Sequence, residues 1–183
     1  MKVIGSVQKK LFSALGSIGS IEGNWMKGVA IARTGEAIGH GVSFDERSLL
    51  MMLDLIGQFQ NGFEVSGNHD GDVFGKVGFI NKNSVSVVDG VLRGDIQLYT
   101  DNEIEEVSAK ASAILKRAIR APDTFGLSVE IVLEIETIGN EDFIRPVRFD
   151  EVSFVDTPAC GKGIFVGKSS LDICRFRSYS SSG

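Results

Sequence analysis

Apolar positions follow two different periods along this chain, which predicts a domain that contains both strands and helices. Gly23 to Arg33 centres on the apolar run VAIA at 29–32, which is typical of a buried strand. Asp89-Gly90 predicts a tight hairpin turn, because both residues adopt positive φ readily. Further β-like segments are Phe63 to Gly67, Phe74 to Asn81, Ser84 to Val88, Val91 to Tyr99, Gly126 to Glu136 and Arg145 to Val155.

A first helix is predicted from Asp45 to about Gln60. The pattern S-x-x-E at Ser43 and Glu46 matches a capping box, in which each side chain satisfies a free N–H at the start of a helix. The apolar residues that follow recur at helical spacing and should pack on a sheet; they are Leu49, Leu50, Leu53 and Ile56.

A second helix follows the strands. We expect Asp101 or Asn102 to cap its start and Pro122 to end it. Lys116, Arg117 and Arg120 suit the negative end of its dipole.

The order of elements predicts an α+β fold, with a mostly antiparallel β-barrel or strongly curved sheet and two or three surrounding helices. We divide the chain into a mobile N-terminal leader (1–22), one domain (23–167) and a flexible Ser-rich tail (168–183). Lys9 and Lys10 interrupt the leader's apolar stretch, so we do not interpret it as an export signal.

Composition narrows the function classes. The 183 residues are 43% hydrophobic and 23% charged, with a net charge of -5, so nucleic acid and anionic membrane are not expected partners. No run of about 18 apolar residues suggests a membrane span. Cys160 and Cys174 cannot form a disulfide framework, and the chain has only two histidines, so we predict no metal and no cofactor.

Three segments carry residues of nucleophilic or acid–base chemistry. His69, in GNHDGDVFGKVGFI, can exchange a proton near neutral pH. Ser128, in DTFGLSVEI, lies at the start of a strand and needs a base to become a nucleophile. Glu151, in RFDEVSFVDTPACGKGIF, could orient an imidazole. A triad is defined by geometry, so these residues alone suggest only a candidate serine hydrolase.

Two other chemistries remain open on the residues. His69-Asp70 with Asp72 could hold a divalent ion, although no further acid–histidine cluster completes such a site. Cys160 could be a nucleophile, but no histidine lies near it in sequence, and we interpret the DTPACGKG segment as a turn.

From about Gly23 to Phe165 the chain resembles the prohead (procapsid maturation) serine proteases of tailed phages, whose fold is similar to that of the herpesvirus assemblins. The segments that carry the resemblance are NHDGDVFGKVGFI, the Asp-Gly hairpin, GLSVEI and EVSFVDTPA, in this order. It implies Ser128 as nucleophile, His69 as base and Glu151 as third member. Assemblin-type relatives use a second histidine there, which leaves His40 or a nearby Asp as an alternative. Val129-Glu130 departs from the Ser-Val-Gly or Ser-Ile-Gly pattern of many relatives.

The resemblance further implies an endopeptidase that acts in the host cytoplasm, inside the assembling procapsid. Its substrates and partners would be the viral scaffold and major capsid protein, with self-cleavage at its own ends. Relatives assemble, so we expect a homo-oligomer. The alternative is a non-catalytic capsid-assembly or scaffold-core protein on the same fold.

Overall fold

A computed structural model of the chain describes residues 7–9, 19–37, 42–67, 73–155 and 176–178. The helices are α1 (Glu46–Gly57) and α2 (Glu105–Arg120), and single 3-10 turns lie at Val73–Gly75, Lys82–Ser84 and Pro122–Thr124. The strands are β1 (Val7–Lys9), β2 (Ser20–Glu22), β3 (Trp25–Arg33), β4 (Gly35–Ala37), β5 (Val42–Phe44), β6 (Gly62–Gly67), β7 (Lys76–Asn81), β8 (Ser86–Val88), β9 (Val91–Leu98), β10 (Gly126–Ile138), β11 (Glu141–Val155) and β12 (Phe176–Ser178).

Ten of the strands form one strongly curled, mixed sheet. Its main path runs β2-β3-β9-β7-β6-β11, and β10 pairs with the other edge of β11. Strand β10 also contacts β3, near the opposite end of this path, so the sheet curls into a half-barrel. The pairs within it are antiparallel, except that β11 runs parallel to β5 and β6. The predicted α+β class, with a curved and mostly antiparallel sheet and two helices, is confirmed at this level.

The remaining two strands form a separate ribbon. Val7–Lys9 (β1) pairs antiparallel with Phe176–Ser178 (β12). One strand belongs to the segment that we assigned to the leader, and the other belongs to the assigned tail.

Helix α1 packs its apolar face on the sheet. Leu49, Met52 and Ile56 have no exposed surface, as the helical spacing requires. Leu50 was wrongly predicted to share this face. It is 46% exposed, because one residue step turns it about 100° around the helix from Leu49 and so away from the stripe of Leu49, Met52 and Ile56.

The predicted capping box of α1 is wrong by two residues. The box is formed by Asp45, which accepts a hydrogen bond from the Ser48 backbone N–H, and by Ser48, whose side chain accepts one from the Asp45 N–H. Ser43 instead lies in β5, opposite Glu36 of β4. Its neighbours Val42 and Phe44 are buried, and this keeps the segment in the sheet.

The start of α2 also differs from the prediction. Ile104 is the N-cap residue and makes no side-chain cap. The Asn102 side chain accepts a hydrogen bond from the Ile104 N–H at 2.9 Å and so closes the preceding turn. The predicted end is confirmed, since the helix stops at Arg120, just before Pro122.

Arg145 joins α1 to the hairpin formed by β10 and β11. It is 1% exposed and donates to both Asp45 carboxylate oxygens, at 2.8 and 3.0 Å. Its Nε donates to Glu136 at 2.7 Å. Burial alone would raise the pKa of Asp45, but hydrogen bonds from Arg145 and Ser48 outweigh it and lower that pKa. The N-cap is therefore selected by a partner 100 residues away.

We predict that Arg145→Leu lowers the free energy of unfolding by about 3 kcal/mol, because Asp45 and Ser48 lose their buried donor. Arg145→Lys should recover only part of this loss, because lysine keeps the positive charge but its ammonium cannot make the bidentate contact. Urea denaturation at neutral pH measures both. The contribution of Arg145 should fade as the pH falls through the lowered pKa of folded Asp45, because Asp45 is then neutral in both the folded and the unfolded state.

Arg148→Ala is the matched control. Arg148 is 68% exposed and pairs with Asp150, so its loss should be much smaller. Equal losses from the Arg145 and Arg148 variants would contradict an anchoring role for Arg145.

Candidate active site

Ser128 is the third residue of β10 and lies directly opposite Ser153 of β11. Both serines have no exposed surface. Neither hydroxyl has a hydrogen-bond partner among the described residues. Residues opposite each other on paired strands face the same side of the sheet, so the two hydroxyl groups are neighbours in one dry environment.

The pair belongs to a longer row of polar residues. Ser153 is in register with Ser66 of β6, and Ser66 with Lys76 of β7. The Lys76 ammonium donates to the Ser66 hydroxyl at 2.8 Å. We call these four residues, Ser128, Ser153, Ser66 and Lys76, the serine row. Sequence analysis missed Ser153, Ser66 and Lys76, because only strand pairing brings them together.

Glu151 lies on the same face of the sheet as Ser128. It is opposite Glu130, two positions from Ser153 along β11. Strand spacing and residue rise place its Cα about 8 Å from that of Ser128. One carboxylate oxygen of Glu151, Oε1, is buried and has no partner among the described residues. The structure therefore brings together two of the three predicted site residues.

The third predicted residue, His69, lies outside the described residues, as do His40, Asp70, Asp72 and Cys160. Strand β6 ends at Gly67, which is in register with Phe154. In the sequence, His69 follows the end of β6 by two residues. Among the described residues, no group of three or more His, Cys, Asp or Glu side chains could hold a metal ion.

Glu64 of β6 stands beside Glu151. The parallel register pairs Val65 with Val152, which makes the residues before them neighbours as well. The Tyr99 hydroxyl donates to Glu64 at 3.0 Å. Burial of Tyr99 and its bond to the Glu64 carboxylate both raise the pKa of Tyr99. Tyr99 therefore keeps its proton and remains a donor to Glu64.

A cleft of about 440 Å³ opens beside these glutamates. Its lining includes four phenylalanines, three acids and the amine of the serine row; these residues are Phe59, Phe63, Phe79, Phe149, Glu64, Asp150, Glu151 and Lys76. We call it the phenylalanine–glutamate cleft. Glu64, Glu151 and Phe79 line it from the face of the serine row, whereas Phe63 and Phe149 belong to the opposite, core-facing side of their strands.

The buried atoms without partners are concentrated at this place. Among the described residues they are the hydroxyls of Ser128 and Ser153 and one oxygen of Glu151, all on β10 and β11. A buried polar group without a partner costs on the order of 1–3 kcal/mol, so proteins keep few of them. Unused hydrogen-bonding capacity at adjacent positions is what a reaction or a ligand can employ.

Comparisons with protein-family models, with curated proteins and with solved structures gave no significant match. No helix within the described ranges has the length and apolar character needed to cross a membrane.

We predict that Ser128→Ala raises the free energy of unfolding by about 1 kcal/mol, because it removes a buried hydroxyl that has no partner in the part of the chain that the structure describes. Ser48→Ala is the matched control. Ser48 is equally buried, but its hydroxyl donates to the Ile144 carbonyl at 2.7 Å and also bonds Asp45. Its loss should be destabilising by about 1–2 kcal/mol. Thermal or urea unfolding measures both, and destabilisation by Ser128→Ala would show that its hydroxyl is satisfied.

Proposed function

We propose that this chain is a serine endopeptidase of the prohead-maturation type. The observation that carries the proposal is the Ser128 hydroxyl, which is buried on the same face of the sheet as Glu151 and has no hydrogen-bond partner in the described ranges. The neighbouring strand β6 leads to His69 within two residues. The proposal therefore assigns nucleophile, acid and base to this end of the β10–β11 pair.

The reaction would be acyl transfer. His69 accepts the Ser128 proton, Ser128 attacks the scissile carbonyl, and His69 returns the proton to the leaving amine. Glu151 orients the imidazole and stabilises its charged form. Ser128 and Glu151 are diagonal neighbours on adjacent strands, with Cα atoms about 8 Å apart, so one imidazole could contact both side chains. The free Oε1 of Glu151 could then accept the imidazole N–H.

The fold supports the same assignment. A half-barrel of mostly antiparallel strands with two helices is compatible with the assemblin-like architecture that the sequence resemblance implies. Within that proposal the substrates are the scaffold and the major capsid protein, and the place of action is the assembling procapsid in the host cytoplasm. Self-cleavage and a homo-oligomeric state belong to the same proposal.

The zero exposure of Ser128 adds a requirement. A peptide carbonyl can reach its hydroxyl only after neighbouring segments move. We therefore expect a slow basal rate for the isolated chain, which rises on assembly with its substrates. Such a delay would suit a protease that must not cut the scaffold before the shell is complete.

We predict that Ser128→Ala and His69→Ala each lower turnover by several orders of magnitude, while Glu151→Gln costs less. Ser153→Ala is the matched control, because this serine is equally buried and directly opposite Ser128, and its variant should keep most of the activity. Cleavage of co-expressed scaffold measures all four. Equal and small effects of the first three would contradict the triad.

Self-cleavage gives a separate prediction. Intact mass spectrometry of the wild-type chain should show shortened termini, and the Ser128→Ala chain should keep both ends. Ser153→Ala should be processed like the wild type. Identical intact termini in all three proteins would remove self-cleavage from the proposal.

A non-catalytic capsid-assembly or scaffold-core protein is the second candidate, and the complete burial of Ser128 favours it. A fluorophosphonate probe separates the two functions, since it forms a covalent adduct only with an activated serine. Labelling of Ser128 that His69→Ala abolishes supports the protease. If no labelling occurs, even in the presence of scaffold and capsid protein, the assembly role is favoured.

A further inference from the structure

The phenylalanine–glutamate cleft is chemically suited to a cation on an apolar stem. We propose that it binds a lysine or arginine side chain of the substrate, three to four residues from the scissile bond. This inference rests on the proposed protease function, because it assumes that the bound segment is a peptide substrate. The binding preference itself can be measured without any cleavage.

The apolar wall of the cleft is built from packed aromatic rings. Phe63 lies between Phe59 and Phe149, with ring centroids at 5.4 and 5.0 Å. Phe63 and Phe149 are themselves buried, so the rings that can cover the methylene groups of a long side chain are the partly exposed Phe59 and Phe79, the second of which lies opposite Glu64. Ring faces also attract an ammonium or guanidinium group, although less strongly for Phe than for Trp.

The charges of the cleft are only partly balanced. Asp150 is paired with Arg148, which donates from Nη2 at 3.0 Å. Lys76 is the amine of the lining, and it donates to Ser66 in the serine row. Within the described part of the lining, this leaves the carboxylates of Glu64 and Glu151 against one ammonium. The cleft therefore favours a cation over an anion.

Glu64 and Glu151 also repel each other. Their register places the two Cα atoms about 5 Å apart on adjacent strands, and like charges in that position are destabilising. Tyr99 donates to Glu64, whereas Oε1 of Glu151 has no donor among the described residues. A bound ammonium group would relieve the repulsion and supply donors to both acids.

The position of the cleft sets the subsite. Glu64 lies two strands and two residues from Ser128, so their Cα atoms are about 12 Å apart. An extended peptide rises about 3.3 Å per residue. A basic side chain bound at Glu64 would therefore belong to a residue three to four positions from the bond that Ser128 attacks.

The chain itself contains such residues near both ends. Lys9 and Lys10 lie in the segment predicted as a leader, and Arg175 and Arg177 lie in the predicted tail. The leader sequence IGSVQKKLFS, residues 4–13, is therefore the probe of choice.

The test measures binding of this peptide, labelled with fluorescein, to the Ser128→Ala protein by fluorescence anisotropy. Replacing both lysines by norleucine keeps the apolar stems and removes the charge. We expect about tenfold weaker binding of the norleucine peptide, and still weaker binding of a peptide with glutamate at both positions. Adding salt should reduce the preference for the lysine peptide, because salt screens charge interactions. This measurement needs no variant of the cleft, so it stays informative even if such a variant folds poorly.

Variants of the protein locate the preference. Glu64→Gln in the Ser128→Ala background should remove most of the difference between the lysine and norleucine peptides. Glu141→Gln is the charge-matched control, because Glu141 is exposed at the far end of β11, and the difference should persist.

The outcomes for the cleft and for the protease are distinguishable. Equal affinity for the lysine and norleucine peptides, or no binding of either at about 1 mM, would overturn the cleft proposal whatever the activity of the protein. A lysine preference that depends on Glu64 supports it. If that preference is found but wild-type protein and scaffold give no cleavage, the protease proposal fails and the cleft remains a basic-segment binding site.

Discussion

The register of β11 is the constraint on which the candidate site depends. This strand pairs with β10 along one edge and with β5 and β6 along the other, so it sets the positions of all three. A slip of one residue would turn Ser153 and Glu151 to the opposite face of the sheet. Arg145 anchors the strand by binding Asp45 at the start of α1 and Glu136 on β10. Register shifts near Pro146 and Glu130 then adjust the two ends of β11 separately.

Local patterns predicted most of the elements and one end of each predicted strand, and they missed the other end by one to four residues. The run at 29–32 and the Asp89-Gly90 turn were confirmed, with φ of 51° and 73° in the turn, because these signals depend on nearby residues alone. The caps of both helices were wrong. At α1 the capping residue is chosen by Arg145, which no pattern within the helix could reveal. The prediction for Leu50 was wrong for a different reason, since helical spacing itself turns this residue away from the buried face that Leu49, Met52 and Ile56 share.

Prediction of the candidate site from sequence was limited in the same way. Ser128 and Glu151 could be selected from sequence because each lies in a recognisable segment, and the β10–β11 register places both on one face. Ser66, Ser153 and Lys76 carry no such signal, because their relationship exists only across paired strands. A local sequence pattern can identify candidate functional residues within one segment. Groups that become neighbours through register require the structure.

Burial and the proposed catalysis have opposite requirements on this face of the sheet. A dry environment strengthens every electrostatic interaction made there, but it also makes each unpaired hydroxyl and carboxylate costly. Among the described residues, the chain nevertheless keeps two such serines and one such glutamate at neighbouring positions, where alanine or valine would pack at no polar cost. The protease site proposed above would account for the Ser128 hydroxyl and the Glu151 oxygen, because binding of a base and a substrate would supply their missing partners and would require the movement that exposes Ser128.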